Sequence, residues 1–276
     1  GFIEIMKGYA KERGLAIQFD LQNAQGDMAT SMLIVKKFVA DVDSLIFTIS
    51  TPSTQHAVKA TRKIPIIFGA VTDPVSAGIV KNLQHPGGNV TGVSDVWPVK
   101  KQVELLLRLV PSVKKLGLVY NPGESNSTFL LQKLQEACDQ LGLDLVTRAI
   151  SNTGEVMMAT KNLAPKVDAF FSSIDNTVLS AIASLVKTAN QYRKPIIAGE
   201  SDSVKEGAIA TLGTNYYEIG KDSGRLAVKV LEGANPGDLP VISDTKTDLY
   251  LNLKAFKFLD IKVASEMEQN AKEIFK

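Results

Sequence analysis

One phrase, written twice, restricts what this chain can fold into more than any other feature. Lys63–Gly78 reads KIPIIFGAVTDPVSAG, and Arg193–Gly207 reads RKPIIAGESDSVKEG. Each copy runs a basic residue and a proline into Ile-Ile, then a small-residue turn, an aspartate, and a valine three residues ahead of a glycine. The similarity extends upstream, where DVDSLIFTISTPSTQHAV matches KVDAFFSSIDNTVLSAI in order: Val-Asp, an apolar run, a polar turn, a helix-like stretch. A repeat of this length means two similar folding units, which suits a chain of 276 residues.

Each unit alternates short apolar or β-branched runs with helical periodicity. AIQFDLQ, SLIFTIS, PIIFGAV and NVTGVS read as strands in the first half. KLGLVYN, LDLVTRAI, DAFFSSI, KPIIAGE and AIATLG read as strands in the second. Between them MATSMLIVKKFVAD, STQHAVKATR, SAGIVKNLQ, NSTFLLQKLQEACDQLG, VMMATKNLA and NTVLSAIASLVKTANQYR carry helical spacing, and NYYEIGKDSGRLAVKVLEG follows as a further amphipathic helix. Strands that lack period-two alternation and are separated by amphipathic helices imply parallel sheets covered on both faces. The expectation is α/β, as two doubly wound parallel-sheet lobes. Phe2, Ile3, Met6, Tyr9 and Ala10 mark an opening helix with no strand before it, so the first strand is expected to be missing from this chain.

Open α/β sheets bind ligands beyond the carboxyl ends of their strands. Four such ends here are polar. Thr51-Pro52-Ser53-Thr54 follows SLIFTIS and enters a helix, either as an anion site at a helix start or as ordinary capping. Asn121 and the turn through Ser125, Asn126 and Ser127 follow GLVY in the second half. DAFFSSI leads into Asp175 and Asn176, and PIIAG into Glu200. Asp175 and Asp202 are placed to cap the next helix, whereas Glu200 directly follows the strand and its glycine. Helix starts on one side and carboxylates on the other suit a zwitterion such as an amino acid.

The remaining chemistry is sparse. The 31 basic and 29 acidic residues nearly balance, and no Lys/Arg cluster tracks a phosphate backbone, so nucleic acid is not an expected partner. His56 and His85 belong to no HExxH or GxSxG pattern, and with Cys138 alone a metal site is not expected. Cys138 reads as a small buried residue. No catalytic residue, metal or cofactor is assigned, and the chain is not read as an enzyme.

DLQNAQGDMATS, FVAD, TPSTQ, FGAVTDPVSAGIV, PGGNVTGVSD, YNPGESNS, DNTV and TLGTNYYEIG together resemble the substrate-binding proteins of one ABC-transporter family, typed as binders of tryptophan or tyrosine. The resemblance runs in order over nearly the whole chain. It implies the type I periplasmic-binding-protein fold, two lobes joined by a three-crossover hinge. The first lobe would be 1–94 with 214–236, the second 95–213 with 237–276. Carried onto this sequence, it implicates Thr51, Ser53, Thr54, Ala70 and Thr72 in the first lobe. In the second it implicates Asn121, Ser125, Asn126, Ser127, Asp175, Asn176 and Glu200. Asn215 and Tyr216 lie near a crossover. Members more often carry Asp at Glu200 and a smaller apolar residue at Trp97, which would stack on an aromatic ligand or pack beside the hinge.

The function this implies is the extracytoplasmic solute-binding component of an ABC importer, periplasmic or lipid-anchored at the outer face of the membrane. It would capture an amino acid by hinge closure and present it to permease subunits. The alternative is the ligand-sensing domain of a regulator or receptor with the same fold. The edge left by the missing strand would invite dimerisation.

Overall fold

The computed structural model describes residues 1–95, 97–243 and 246–276. The chain forms two compact units, Gly1–Val96 with Asn215–Thr245, and Trp97–Thr214 with Lys246–Lys276, and so passes between them three times. The stretch 237–243, expected with the C-terminal tail, packs with the first unit instead. Its backbone explains why: Gly87 N–H donates to Gly237 O, Val241 N–H to Leu83 O, and Ser94 N–H to Ile242 O.

The first unit contains α1 (Phe2–Arg13), α2 (Met28–Ala40), β1 (Ile46–Ile49), α3 (Thr51–Ala60), β2 (Ile66–Val71), β3 (Val90–Ser94) and the returning helix α10 (Tyr216–Leu231). Its three strands are all parallel, in the order β1-β2-β3. One side of the sheet is covered by a cluster including Val35, Ala57, Val58, Ile66 and Phe68. Another cluster joins Met6, Ile67 and Val93 to the stripe Ile219, Leu226, Ala227 and Val230 of α10. That stripe recurs at helical spacing, which is why a segment so distant in sequence returns to this sheet. Gly224 allows α10 to pack closely on α1, since a Cβ there would lie 2.8 Å from the Ile5 side chain.

Two expectations differ in this unit. AIQFDLQ is not a strand: residues 16–22 have no regular structure and pair with no strand among the described residues. A strand exists only through its ladder partners, and β1 is hydrogen-bonded to β2 alone. SAGIVKNLQ is not a helix. Asp73 caps one turn through the N–H groups of Val75 and Ser76, and the chain leaves that turn at Gly78, with φ 69°. Left-handed backbone at that glycine stops helical propagation.

The second unit contains α4 (Val99–Leu109), β4 (Lys115–Tyr120), α5 (Ser125–Leu141), β5 (Asp144–Ala149), α6 (Val156–Leu163), β6 (Ala169–Ser172), α7 (Asn176–Leu179), α8 (Ile182–Gln191), β7 (Ile196–Ala198), α9 (Ser201–Glu206) and β8 (Ala210–Thr214). The tail adds β9 (Thr247–Asn252), α11 (Leu253–Leu259), α12 (Ser265–Asn270) and β10 (Glu273–Phe275). The sheet order is β10-β9-β8-β7-β6-β4-β5, parallel except where β9 runs antiparallel to β8. The single helix expected over residues 176–193 is divided into α7 and α8 around Ala181, whose φ of −121° and ψ of 23° are not helical. A core of Phe170, Val119, Leu163, Leu185, Ile196 and Val204 fills one face of this sheet.

This strand order positions the site. From β4 the chain goes to β5 on one side, then crosses to β6 on the other. The order therefore reverses between β4 and β6, the switch point beside which ligands of open α/β sheets bind, and the turns leaving these two adjacent carboxyl ends lie side by side.

Candidate functional site

The carboxyl ends of β4 and β6 carry two buried carboxylates. Glu124 is 1% exposed and Asp175 0%. Asp175 is the N-cap of α7, accepting from Val178 N–H at 2.9 Å. Its other oxygen accepts from Asn121 N–H and Ser127 Oγ–H, each at 2.6 Å. Glu124 reaches across to the α7 turn, where Oε2 accepts from Asn176 N–H at 2.9 Å and from its Nδ2 at 2.6 Å. Its Oε1 accepts from Thr177 N–H at 2.9 Å and Oγ1–H at 2.7 Å. Burial, and after it the charge of Glu124, raises the Asp175 pKa to about 6 against the donors that lower it.

Glu200 is a third buried carboxylate, 5% exposed, on the turn after β7. It accepts from Asp202 N–H at 2.5 Å, from Ser203 N–H at 2.7 Å, and from the Ser203 hydroxyl. Glu200 is thus the N-cap of α9, the place expected for Asp202, which lies in the first turn of that helix. Burial pushes the Glu200 pKa up. Among the described residues, none of these three carboxylates has a Lys or Arg partner. The ion pairs present join other, more exposed side chains. The strand-end face of the second unit therefore carries buried negative charge without a fixed cation.

The expected residues of this face divide into two sets. Asn121 and Ser127 hold Asp175, Asn176 is held by Glu124, and Asn121 also donates from Nδ2 to Thr177 Oγ1 at 2.9 Å. Ser125 Oγ and Asn126 Oδ1 are buried without a hydrogen-bond partner, as are the hydroxyls of Ser172, Ser173 and Thr214 at the ends of β6 and β8. Buried polar atoms normally find partners, so a group of open ones at strand ends marks a surface suited to a polar ligand. Trp97 is buried, 7% exposed, at the start of this unit. Glu124 escaped the sequence reading because its partners Asn176 and Thr177 lie about fifty residues away; the acidic residue inside PGESNS was its one local signal.

In the first unit the corresponding face is uncharged where α3 begins. No side chain caps α3, so its first N–H groups are not taken up by a cap. Thr51 is 2% exposed and its Oγ1 has no partner. Thr54 is committed, with Oγ1 donating to Ser50 O at 2.7 Å and 2.8 Å from Thr48 Oγ1. Ser53 and Ala70 are half-buried, and Thr72 is buried, its carbonyl accepting from Ser94 Oγ–H at 3.2 Å. Asn215 caps α10 by accepting from Tyr217 and Glu218 N–H. The Tyr216 hydroxyl donates to Asp95 Oδ2 at 3.3 Å, bringing in an aspartate the sequence reading passed over.

Other reactive side chains play structural parts. His56 Nδ1 lies 2.9 Å from Ser31 Oγ, tying α3 to α2, and burial lowers its pKa. Cys138 is fully buried, and burial pushes its thiol up to about 11, far from a nucleophilic thiolate. Among the described residues no group of three His, Cys, Asp or Glu side chains is arranged to hold a metal. No helix among them is long and apolar enough to cross a membrane.

The model of a family described as ABC transporter substrate binding protein matches residues 1–275. A tyrosine-binding protein of Clostridioides difficile is 42% identical over 265 residues, covering 96% of this chain and 77% of the relative. The ABC domain of Streptococcus pneumoniae, solved in complex with L-Trp, is 33% identical and superposes with a TM-score of 0.93, covering 99% of this chain and 94% of that one. A conserved domain protein of Vibrio cholerae is 38% identical, with a TM-score of 0.93 over 98% of this chain and 93% of that one. The family model over residues 1–275 and a 42%-identical relative covering 96% of this chain show that the chain belongs to the ABC transporter substrate-binding protein family.

Proposed function

We propose that this protein is the extracytoplasmic ligand-capturing component of an ABC importer and that its ligand is an aromatic amino acid. The observation that carries the reading is a division of charge between two strand-end faces. The second unit offers three buried carboxylates with no fixed cation, and the first offers an uncapped helix start beside the open hydroxyl of Thr51. An amino acid carries the complementary pair, an ammonium for the acidic face and a carboxylate for the α3 N-terminus. Asp175 and Glu200 spend their oxygens on backbone and serine hydroxyl donors, so they act mainly as charge, while Ser125, Asn126 and Ser173 supply the open polar contacts. The aromatic side chain is supported by relatives named for tyrosine and solved with L-Trp.

Capture then follows the usual hinge logic. A ligand touched by both units favours the conformation in which both reach it, and that closed state is what permease subunits would recognise. Isothermal titration with the twenty amino acids tests the reading. Saturable binding of L-Tyr or L-Trp is the expected result; binding only to a non-aromatic amino acid would overturn the aromatic assignment, and no binding at all would overturn the class of ligand.

A further inference from the structure

We propose that Ser50 and Ala70 are ligand-positioning residues, whose strained backbones hold the strand-end face of the first unit in its binding shape. This inference rests on reading that face as a ligand surface. Ser50 has φ 79° and ψ 159°, a region that glycine alone enters freely. Ala70 has φ 56° although it lies inside β2, the middle strand of its sheet. The other non-glycine residues with positive φ, Gln25, Val42, Arg193 and Asp260, are in exposed turns rather than at the polar strand ends.

The two strained positions are neighbours. Ser50 N–H donates to the carbonyl of Gly69, the residue next to Ala70, at 3.2 Å. At that point the β2–β3 register shifts between Gly69 and Val71, so Ala70 is the extra residue of a bulge at the ligand end of the strand. Ser50 is also clamped from the helix side, since its carbonyl accepts from both Thr54 N–H at 3.2 Å and Thr54 Oγ1–H at 2.7 Å. Serine is a preferred helix cap, yet the Ser50 side chain makes no capping bond. Neither its backbone angle nor a capping role therefore accounts for serine at this position.

The residues that follow these positions are those of the proposed ligand face. Thr51, directly after Ser50, is buried with an open Oγ1, and Thr72 is buried two residues after Ala70. Strain held by the β1 pairing and the first turn of α3 fixes where these groups point before any ligand arrives. Ordering is then complete in the free protein, which is how preorganisation raises affinity. Glycine at either position would relax the backbone and return that ordering cost to the binding step.

Ser50→Gly and Ala70→Gly test this, with Ser50→Ala as the control that removes the hydroxyl and keeps the strain. Two measurements are needed: the Tm of ligand-free protein and the Kd for L-Tyr and L-Trp by titration calorimetry. Both glycine variants should raise the ligand-free Tm by about 2–4 °C and weaken binding by about 5–30-fold. Ser50→Ala should show no rise in Tm. Glycine variants with a raised Tm and unchanged Kd would leave the strain without a ligand role, and a lowered Tm would mean no strain to release. Wild-type protein that binds neither amino acid overturns the ligand reading itself; the Tm arm, read without ligand, still reports separately whether the strain exists.

Discussion

The Ser127 hydroxyl donates to the Asp175 carboxylate at 2.6 Å, joining the first turn of α5 to the cap of α7 across the point where the strand order reverses. Both residues are buried, so this bond is not exchanged with water. Ser127→Ala removes one donor and leaves a buried carboxylate short of a partner. The expected loss is about 1–3 kcal/mol of unfolding free energy, read as a lower urea midpoint with an unchanged m-value.

Acidification should stabilise this unit over part of the pH range. The folded pKa of Asp175 is raised to about 6, above its ordinary value of 3.8. Between those values the unfolded chain has released a proton that the folded protein keeps. This contribution is therefore fully present below about pH 4 and lost as pH rises through about 6. Glu200, also raised by burial, acts in the same direction. A thermal melt series from pH 4.5 to 7.5 should show this slope, and Asp175→Asn should flatten it.

Ligand affinity should have the opposite pH dependence. An ammonium beside the acidic face favours ionised Asp175, so binding displaces its proton at low pH. Kd should weaken as pH falls below about 6, by at most about tenfold per pH unit for one coupled proton. Calorimetry in buffers of different ionisation enthalpy should detect proton release near pH 5.5. An absence of proton linkage would separate Asp175 from the ligand.

Charge at the acidic face should matter more than shape there. Glu124→Gln keeps the size of the side chain but places an amide among the donors of Asn176 and Thr177. Binding of the proposed ligand should fall about 30-fold or more. N-acetyl-tyrosine, which has no ammonium, should bind wild-type protein correspondingly poorly. Equal affinity for tyrosine and its N-acetyl derivative would remove the electrostatic account.

A core substitution should behave differently from all of these. Phe170 is fully buried in β6 within the core of the second unit. Phe170→Ala should cost about 3–5 kcal/mol of stability, measured by denaturant unfolding. At temperatures where the variant stays folded, its ligand affinity should be near that of wild type.

The repeated Pro-Ile-Ile phrase and the alternation of apolar runs with amphipathic helices were sufficient for an α/β chain of two similar units, because burial on both sheet faces writes itself into local composition. Strands such as Ile66–Val71 and Ala169–Ser172 were legible for that reason. Residues 16–22 set Ile17, Phe19 and Leu21 in strand-like alternation and form no strand, since a ladder needs a neighbour that local sequence cannot supply. The helix expected at SAGIVKNLQ fails for a local reason, the left-handed turn at Gly78. Sequence also brought the polar strand ends to notice, Thr51–Thr54, Asn121, Asp175 and Glu200 among them. Only tertiary structure decided their parts: Glu200 rather than Asp202 as a cap, and Glu124 as the tie between two turns fifty residues apart. Hydrogen bonds act over about 3 Å of space, and the reversal of strand order between β4 and β6 is what brings those turns within that distance.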